Sequence, residues 1–107
     1  MKTFRDLKIG DTIYILQAYY NNERTKSPIF EVQPVKITSI NYMYALDYDK
    51  KYHLRCVLHT DFLNLNIINC IRTTVYLRPD EMNESLSSFY ASTDYELLKK
   101  QVDLANL

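Results

Sequence analysis

The sequence predicts a mainly β fold, a small antiparallel barrel of five strands followed by one or two α-helices. Up to residue 78, short β-branched and aromatic runs alternate with turn residues, and no helix-length segment separates them to make parallel crossovers. After residue 78 the apolar positions change from a period of two to a period near four. With 107 residues, 47% of them hydrophobic, the chain has room for one core. We therefore expect a barrel over residues 1–78 and a helical segment over residues 79–107, packed on the barrel or on a partner.

The first strand is predicted over residues 12–16, a β-branched and aromatic run. Gly10, the one glycine of the chain, stands just before it. A turn with positive φ at this position explains that placement, because a residue with a Cβ costs about 1 kcal/mol or more there. Farther on, the polar stretch 21–28 ends in proline and is predicted to be the longest loop.

Four further strands follow in the prediction. The second covers residues 30–40, but Pro34 lacks a backbone N–H, so we place its regular part after the proline and expect an edge position or a bulge there. The third covers residues 52–59, with Leu54, Cys56 and Leu58 on one side. Residues 63–67 and 73–77 supply the fourth and fifth.

A first helix is predicted to begin at Pro79, whose fixed φ suits the first helical position. The acidic residues that follow suit the positive end of the helix dipole; they are Asp80, Glu81 and Glu84. One face of this helix is apolar and consists of Met82, Leu86, Phe89 and Tyr90. We expect this helix to close the barrel of its own chain.

A second helix is predicted to begin at Thr93, which has the capping-box spacing to Glu96. Its apolar face consists of Leu97, Leu98, Val102 and Ala105. Because the capping box lets this helix start independently of the barrel, we expect it to be the exposed element that contacts a partner.

Residues 4–15 read FRDLKIGDTIYI, and residues 73–82 read TTVYLRPDEM. The first block resembles the opening F-x-D-L-K-V-G-D-x-V-Y-V of small SH3-like barrel proteins that are common in bacteriophages and prophages. The second resembles their closing G-K-T-V-F-L-T-x-E-E-A, in which the last strand runs into a helix. The resemblance implies an SH3-like barrel and an accessory role in a phage particle or phage-encoded assembly. It implies no reaction, because this barrel hosts unrelated activities.

Composition excludes several classes of function. A single glycine is too few for the glycine-rich loops that bind nucleotide phosphates, so no nucleotide cofactor is expected. No apolar run reaches the roughly 18 residues of a membrane span, and the first ten residues lack the apolar stretch of a signal peptide. Two cysteines suit a reducing compartment. We expect a protein of the bacterial cytoplasm or of a phage particle, without a membrane partner or a small-molecule substrate.

Candidate catalytic and metal-binding residues are few. His53, Cys56 and His59 resemble a zinc-ligand set, with Asp61 and Cys70 in reserve. On a strand, however, the two histidines project from one face about 20 Å apart and Cys56 projects from the other, so they cannot share one ion. Both cysteines lie in apolar strings, where cysteine is usually a buried hydrophobe and not a nucleophile. We expect no metal, no cofactor and no enzyme; a small metal-dependent or cysteine hydrolase is the remote alternative.

The ten tyrosines are the strongest functional signal in the sequence. Tyrosine offers a large, stiff contact area with a polar tip, and it is enriched at protein interfaces. Residues 1–78 carry 11 Lys and Arg against 7 Asp and Glu. A nucleic-acid-binding barrel is therefore the alternative, with tyrosines stacking bases near Lys50, Lys51 and Arg55. The isoelectric point near 6.7 and the zero net charge favour protein contacts or self-association instead. The candidate interaction residues are Tyr19, Tyr20, Tyr42, Tyr44, Tyr48, Tyr52, Leu97, Leu98 and Val102.

Overall fold

A computed structural model describes residues 2–19, 29–62, 74–88 and 90–107. Within these ranges, five strands form an antiparallel sheet and one α-helix follows them near the carboxyl end. Two short 3₁₀ helices, Phe4–Asp6 and Glu81–Asn83, precede β1 and follow β4. The main elements are β1 (Thr12–Tyr19), β2 (Ile29–Leu46), β3 (Tyr52–Thr60), β4 (Thr74–Leu77), β5 (Ala91–Ser92) and α1 (Tyr95–Ala105).

The sheet is open, with the strand order β4-β3-β2-β1-β5. The mainly β class with a helical end is confirmed, but within the described ranges the two edge strands do not pair to close a barrel. The 18-residue β2 holds the sheet together, since it pairs with β1 up to Lys36 and with β3 from Ile37 onward. The register shifts between Ile37 and Ser39, and such a bulge bends the strand where it changes partners.

Pro34 lies inside β2, opposite Tyr14, so the prediction that the regular strand starts after the proline is wrong. The backbone N–H of Ile37 donates to the carbonyl of Asp11 (3.0 Å), and hydrogen-bonded and non-hydrogen-bonded pairs alternate along an antiparallel ladder. Pro34 and Tyr14 therefore form a non-hydrogen-bonded pair, and the proline nitrogen points away from β1. It points to the side where β3 does not pair with this half of β2, so no ladder bond with β1 or β3 is lost.

The core lies on one face of the sheet and is closed by the first 3₁₀ helix and by Met82. This face receives every second residue of each strand, as the period of a strand requires. Its buried strand residues are Ile13, Ile15, Val35, Ile37, Cys56, Leu58, Val75, Leu77 and Ala91. Gly10 stands before β1 with φ of +92°, which confirms the turn expected from the sequence.

Residues 79–88 do not form the predicted helix. The chain makes one short 3₁₀ helix there, and Ala91–Ser92 then pair with β1. The buried carboxylate of Glu81 accounts for the difference. It accepts hydrogen bonds from the backbone N–H of Arg78 (3.1 Å), from the hydroxyl of Ser87 (2.8 Å) and from the N–H of Ser88 (2.9 Å). These bonds fold the serines back on the first turn, and serine competes in this way with helix formation.

The Glu81 carboxyl is charged although it is buried. Burial raises its pKa, but the hydrogen bonds from Arg78, Ser87 and Ser88 lower the pKa by more, and it stays below its usual value. Glu81 therefore does not act at the positive end of a helix dipole, as predicted. It is a buried anion whose hydrogen bonds hold the surrounding loop in place.

The helix α1 begins close to the predicted position, but its cap differs from the prediction. The N-cap is Asp94, whose carboxylate accepts from the backbone N–H groups of Glu96 (2.8 Å) and Leu97 (3.4 Å). The hydroxyl of Thr93 instead donates to the carbonyl of Lys2. The segment before the helix is thereby tied to the amino end of the chain.

The helix α1 packs on β1 and β2 of its own chain. Leu98 and Val102 are 0% and 1% exposed and lie outside the main core cluster. Tyr95 also contacts Tyr14 edge to face, with ring centroids 5.6 Å apart. The expectation that this helix is exposed and contacts a partner is therefore wrong, because its apolar face is covered by the sheet.

Asn106 fixes the end of α1 to the beginning of β2. Its side-chain amide donates to the carbonyl of Phe30 (2.9 Å), and its side-chain oxygen accepts from the N–H of Phe30 (2.9 Å). The amide thus satisfies two backbone groups of β2 as a neighbouring strand would.

Three predicted features lie wholly or in part outside the described residues. They are the loop over 21–28, the fourth strand over 63–67, and Phe89 of the first predicted helix. The fifth predicted strand corresponds to β4. The strand β5 was not predicted from the sequence.

Candidate interaction surface on the β2–β3 hairpin

The strands β2 and β3 are joined by a tight, hydrogen-bonded turn over residues 47–51. The backbone N–H of Asp47 donates to the carbonyl of Lys51 (3.0 Å), and the N–H of Lys50 donates to the carbonyl of Asp47 (2.9 Å). Lys50 has φ of +61°, and the carboxylate of Asp49 accepts from the N–H of Lys51 (3.0 Å). This local bonding fixes the register of the two strands that leave the turn.

The register brings large apolar side chains together on one face of this hairpin. Tyr42 lies opposite Cys56, Tyr44 opposite Leu54, and Leu46 opposite Tyr52. Residues directly opposite each other in an antiparallel pair project from the same face. We call the exposed set the hairpin face; it consists of Tyr42, Tyr44, Leu46, Tyr52 and Leu54.

The hairpin face continues the core face of the sheet beyond the end of the core. Cys56 and Leu58 follow Leu54 at a period of two and are buried, whereas the members of the hairpin face are between 39% and 69% exposed. The strand β4 ends at Leu77, opposite Cys56, and β1 pairs only with the other half of β2. Among the described strands, the hairpin therefore extends past its neighbours, and five adjacent apolar residues on this face are exposed.

The opposite face of the hairpin mixes the apolar residues Met43 and Ala45 with charged residues that are already paired. Arg55 forms a charged hydrogen bond with Asp47 and donates to the carbonyl of Leu54 (2.8 Å). The ring nitrogen Nε2 of His53 lies 2.8 Å from the carboxylate of Asp49. The hydrogen bonds from His53 and from the backbone hold the pKa of the Asp49 carboxyl below its usual value. The charges of the hairpin therefore neutralise one another on this face.

A groove of about 720 Å³ runs along this opposite face. Met43 and Tyr76 contribute to its wall, and Arg55 and Arg78 are its two cations. Arg55 is bonded to Asp47, and Arg78 lies 3.2 Å from a carboxylate oxygen of Glu81. Because both guanidinium groups already have carboxylate partners, the groove is poorly suited to an anionic ligand.

The residues considered for zinc binding do not converge. His53 and Cys56 project from opposite faces of β3, as expected for a strand, and His59 lies near the hydroxyl of Thr74 (3.4 Å). Burial raises the pKa of the Cys56 thiol, with a smaller opposing effect from a hydrogen bond with Tyr42. In the part of the chain that the structure describes, no three His, Cys, Asp or Glu residues are grouped to hold a metal ion. Cys70 lies outside it.

The remaining predicted interaction residues are scattered or covered. Tyr48 is fully exposed at the turn, and Leu97 is half-buried on α1. Leu98 and Val102 are buried inside the chain and are not available to a partner. Tyr20 and the side chain of Tyr19 lie outside the described residues.

Sequence reasoning identified three of the five residues of the hairpin face and missed Leu46 and Leu54. Its detectable signal was the period of two shared by Tyr42, Tyr44 and Leu46, which places all three on one face of a strand. Pairing with the next strand then adds Tyr52 and Leu54, but only once the position of the turn is known.

Among the described residues, no helix combines the length and the apolar character that crossing a membrane requires. Comparison of the chain with protein-family models, with curated proteins and with solved structures finds no match.

Proposed function

We propose that this chain is a non-enzymatic protein–protein interaction module that binds through the hairpin face. The observation that carries this proposal is an exposed apolar face of three tyrosines and two leucines on two rigidly paired strands. Contiguous apolar patches of this kind are typical of interaction sites on soluble proteins. Tyrosines add the polar tips and the low loss of conformational entropy that interfaces favour.

The two sequence blocks that resemble phage SH3-like barrel proteins support a biological context for the proposed interaction. On that resemblance we place the chain as an accessory component of a phage particle or phage-encoded assembly in a bacterial cell. The mainly β fold is compatible with this placement, and Gly10, the glycine of the opening block, has a positive φ.

Charge placement favours a protein partner over a nucleic acid. Stacked bases need nearby cations to hold their phosphates. The hairpin face has no charged residue, and Arg55 projects from the opposite face, where it is bonded to Asp47. Lys50 and Lys51 lie at the turn, beside Asp47 and Asp49. The tyrosines thus form an apolar surface and not a basic, aromatic one.

Affinity capture with the intact chain tests the proposal. Tagged wild type, Tyr44→Ser and Tyr76→Ser are used to capture proteins from the native particle or cell, and self-association is measured in parallel. Tyr76 is the matched control, because it is an exposed tyrosine on the opposite face of the same sheet. We expect binding by the wild type and Tyr76→Ser, and its loss in Tyr44→Ser. If the wild type neither associates with itself nor captures a protein, the proposal is wrong.

Fluorescence anisotropy with a single-stranded oligonucleotide tests the nucleic-acid alternative. Binding that weakens steeply between low and moderate salt indicates the release of counterions from a phosphate backbone. We expect no binding at low salt; a strong, salt-sensitive signal that depends on Tyr44 would replace the proposal by its alternative.

A further inference from the structure

We propose that the hairpin face docks on the same face of a second copy of this chain, which gives a two-fold symmetric dimer. This inference rests on the proposed function, because it takes the hairpin face as the interaction surface and names its occupant. Two-fold dimers use one self-complementary patch on both copies. That patch must be large enough for a stable contact and must not place like charges opposite each other.

The area of the hairpin face meets the lower limit for such a dimer. A covered tyrosine side chain buries about 150–250 Å². Three tyrosines that are about two-thirds exposed, together with two leucines, therefore offer roughly 500 Å² on each copy. Covering the face on both copies removes roughly 1,000 Å² from water, which is about the smallest area of a specific interface. The expected dimer is therefore weak, with a dissociation constant in the micromolar range.

Charge also permits self-association. In a two-fold contact, a charged residue near the axis faces its own copy and is repelled. The hairpin face contains no charged side chain, and the chain as a whole has zero net charge. At the turn, the two acidic residues Asp47 and Asp49 are followed by the two basic residues Lys50 and Lys51, so neither sign dominates there.

The geometry of the sheet supplies the form of the contact. The hairpin face continues the core face of the sheet, and core faces of sheets pack about 10 Å apart with interdigitating side chains. Two hairpins packed in this way would build a small second core from Tyr42, Tyr44 and Leu54 of each copy. Tyr42 would keep its hydrogen bond with Cys56, and the hydroxyls of Tyr44 and Tyr52 would reach the rim, where water satisfies them.

Sedimentation equilibrium over a wide range of concentration tests the inference with the full chain. We expect the wild type to dimerise, Tyr44→Ser to weaken the dimer at least about tenfold, and Tyr76→Ser to change it less than about twofold. Leu54→Ser provides a second variant on the neighbouring strand and should act like Tyr44→Ser. Circular dichroism verifies that each variant is folded.

The outcomes separate the inference from the proposed function. A dimer that persists unchanged in both hairpin variants overturns the inference, because the two copies then meet elsewhere. A wild type that stays monomeric at high concentration overturns it as well. If that monomer still captures another protein through Tyr44, the proposed function survives without the dimer; if it captures none, both are wrong.

Discussion

Replacement of Leu98 by alanine should destabilise the monomer strongly. Leu98 is completely buried between α1 and the sheet. Truncation of a buried leucine to alanine costs about 2–5 kcal/mol, and less where neighbours can relax into the cavity. The contact of α1 is a single helix on one side of β1 and β2, which allows some relaxation, so we expect about 3 kcal/mol. At roughly 4 °C per kcal/mol for a domain of this size, the melting temperature should fall by about 12 °C.

Leu104→Ala is the matched control for this measurement. Leu104 belongs to the same helix, undergoes the same chemical change and is 63% exposed. A surface substitution of this kind changes stability by about 0.5 kcal/mol or less, or about 2 °C. Thermal and urea unfolding followed by circular dichroism, beside a sizing run, give both values. Equal small shifts for the two variants would show that α1 is not held on the sheet, and its apolar face would again be available to a partner.

Three further substitutions test local features of the fold. Gly10→Ala should lower stability by about 1 kcal/mol in urea unfolding through its positive φ alone, because nothing lies within 4 Å of the added Cβ; an unchanged midpoint would contradict this. Glu81→Gln should cost about 2 kcal/mol at pH 7. Because the folded pKa of Glu81 is lowered, its contribution is complete above the unfolded pKa, about 4.3, and is lost as the pH falls through the folded value. Urea unfolding from pH 7 to pH 3 should therefore show wild type and Glu81→Gln converging in acid, and a constant difference would refute the assignment. Asn106→Ala should speed amide exchange at Phe30 and cost about 1 kcal/mol; unchanged exchange would argue against the two bonds that join these residues.

The elements that sequence predicted well are those with a local cause. The alternation of Leu54, Cys56 and Leu58 predicts β3. The capping-box spacing of Thr93 and Glu96 before an apolar face predicts the start of α1, although the N-cap itself is Asp94. Gly10 belongs to the same class, because the conformation of a single residue explains its placement. In each case the residues that determine the structure lie within a few positions of one another.

The helix predicted from Pro79 failed because its alternative depends on contacts that the local pattern does not show. The first turn does form, as the proline and the acidic residues indicate. Glu81 then accepts bonds from Ser87 and Ser88, which lie six and seven residues away, and the N–H of Phe4 donates to the carbonyl of Glu84 (3.0 Å). Tertiary contacts of this kind override a helical apolar spacing, since propensity over so short a segment contributes little.

The apolar face of α1 is buried, whereas the hairpin face is exposed, because the two lie at different places along β2. The apolar spacing of each predicts a buried face, but spacing does not say which surface covers it. Asn106 fixes the end of α1 at Phe30, so the helix, about 16 Å long, covers β1 and the first half of β2. Leu46 lies 16 residues beyond Phe30, roughly 50 Å along the contour of a strand that bends at its bulge. The helix also lies on the opposite face of the sheet, because Tyr95 contacts Tyr14, which alternates with the core residues Ile13 and Ile15. It therefore does not cover the hairpin face, and neither β1 nor β4 extends that far. Within the described ranges, no element of the chain covers the hairpin face, and it is this uncharged face on a neutral chain that we propose a second copy covers.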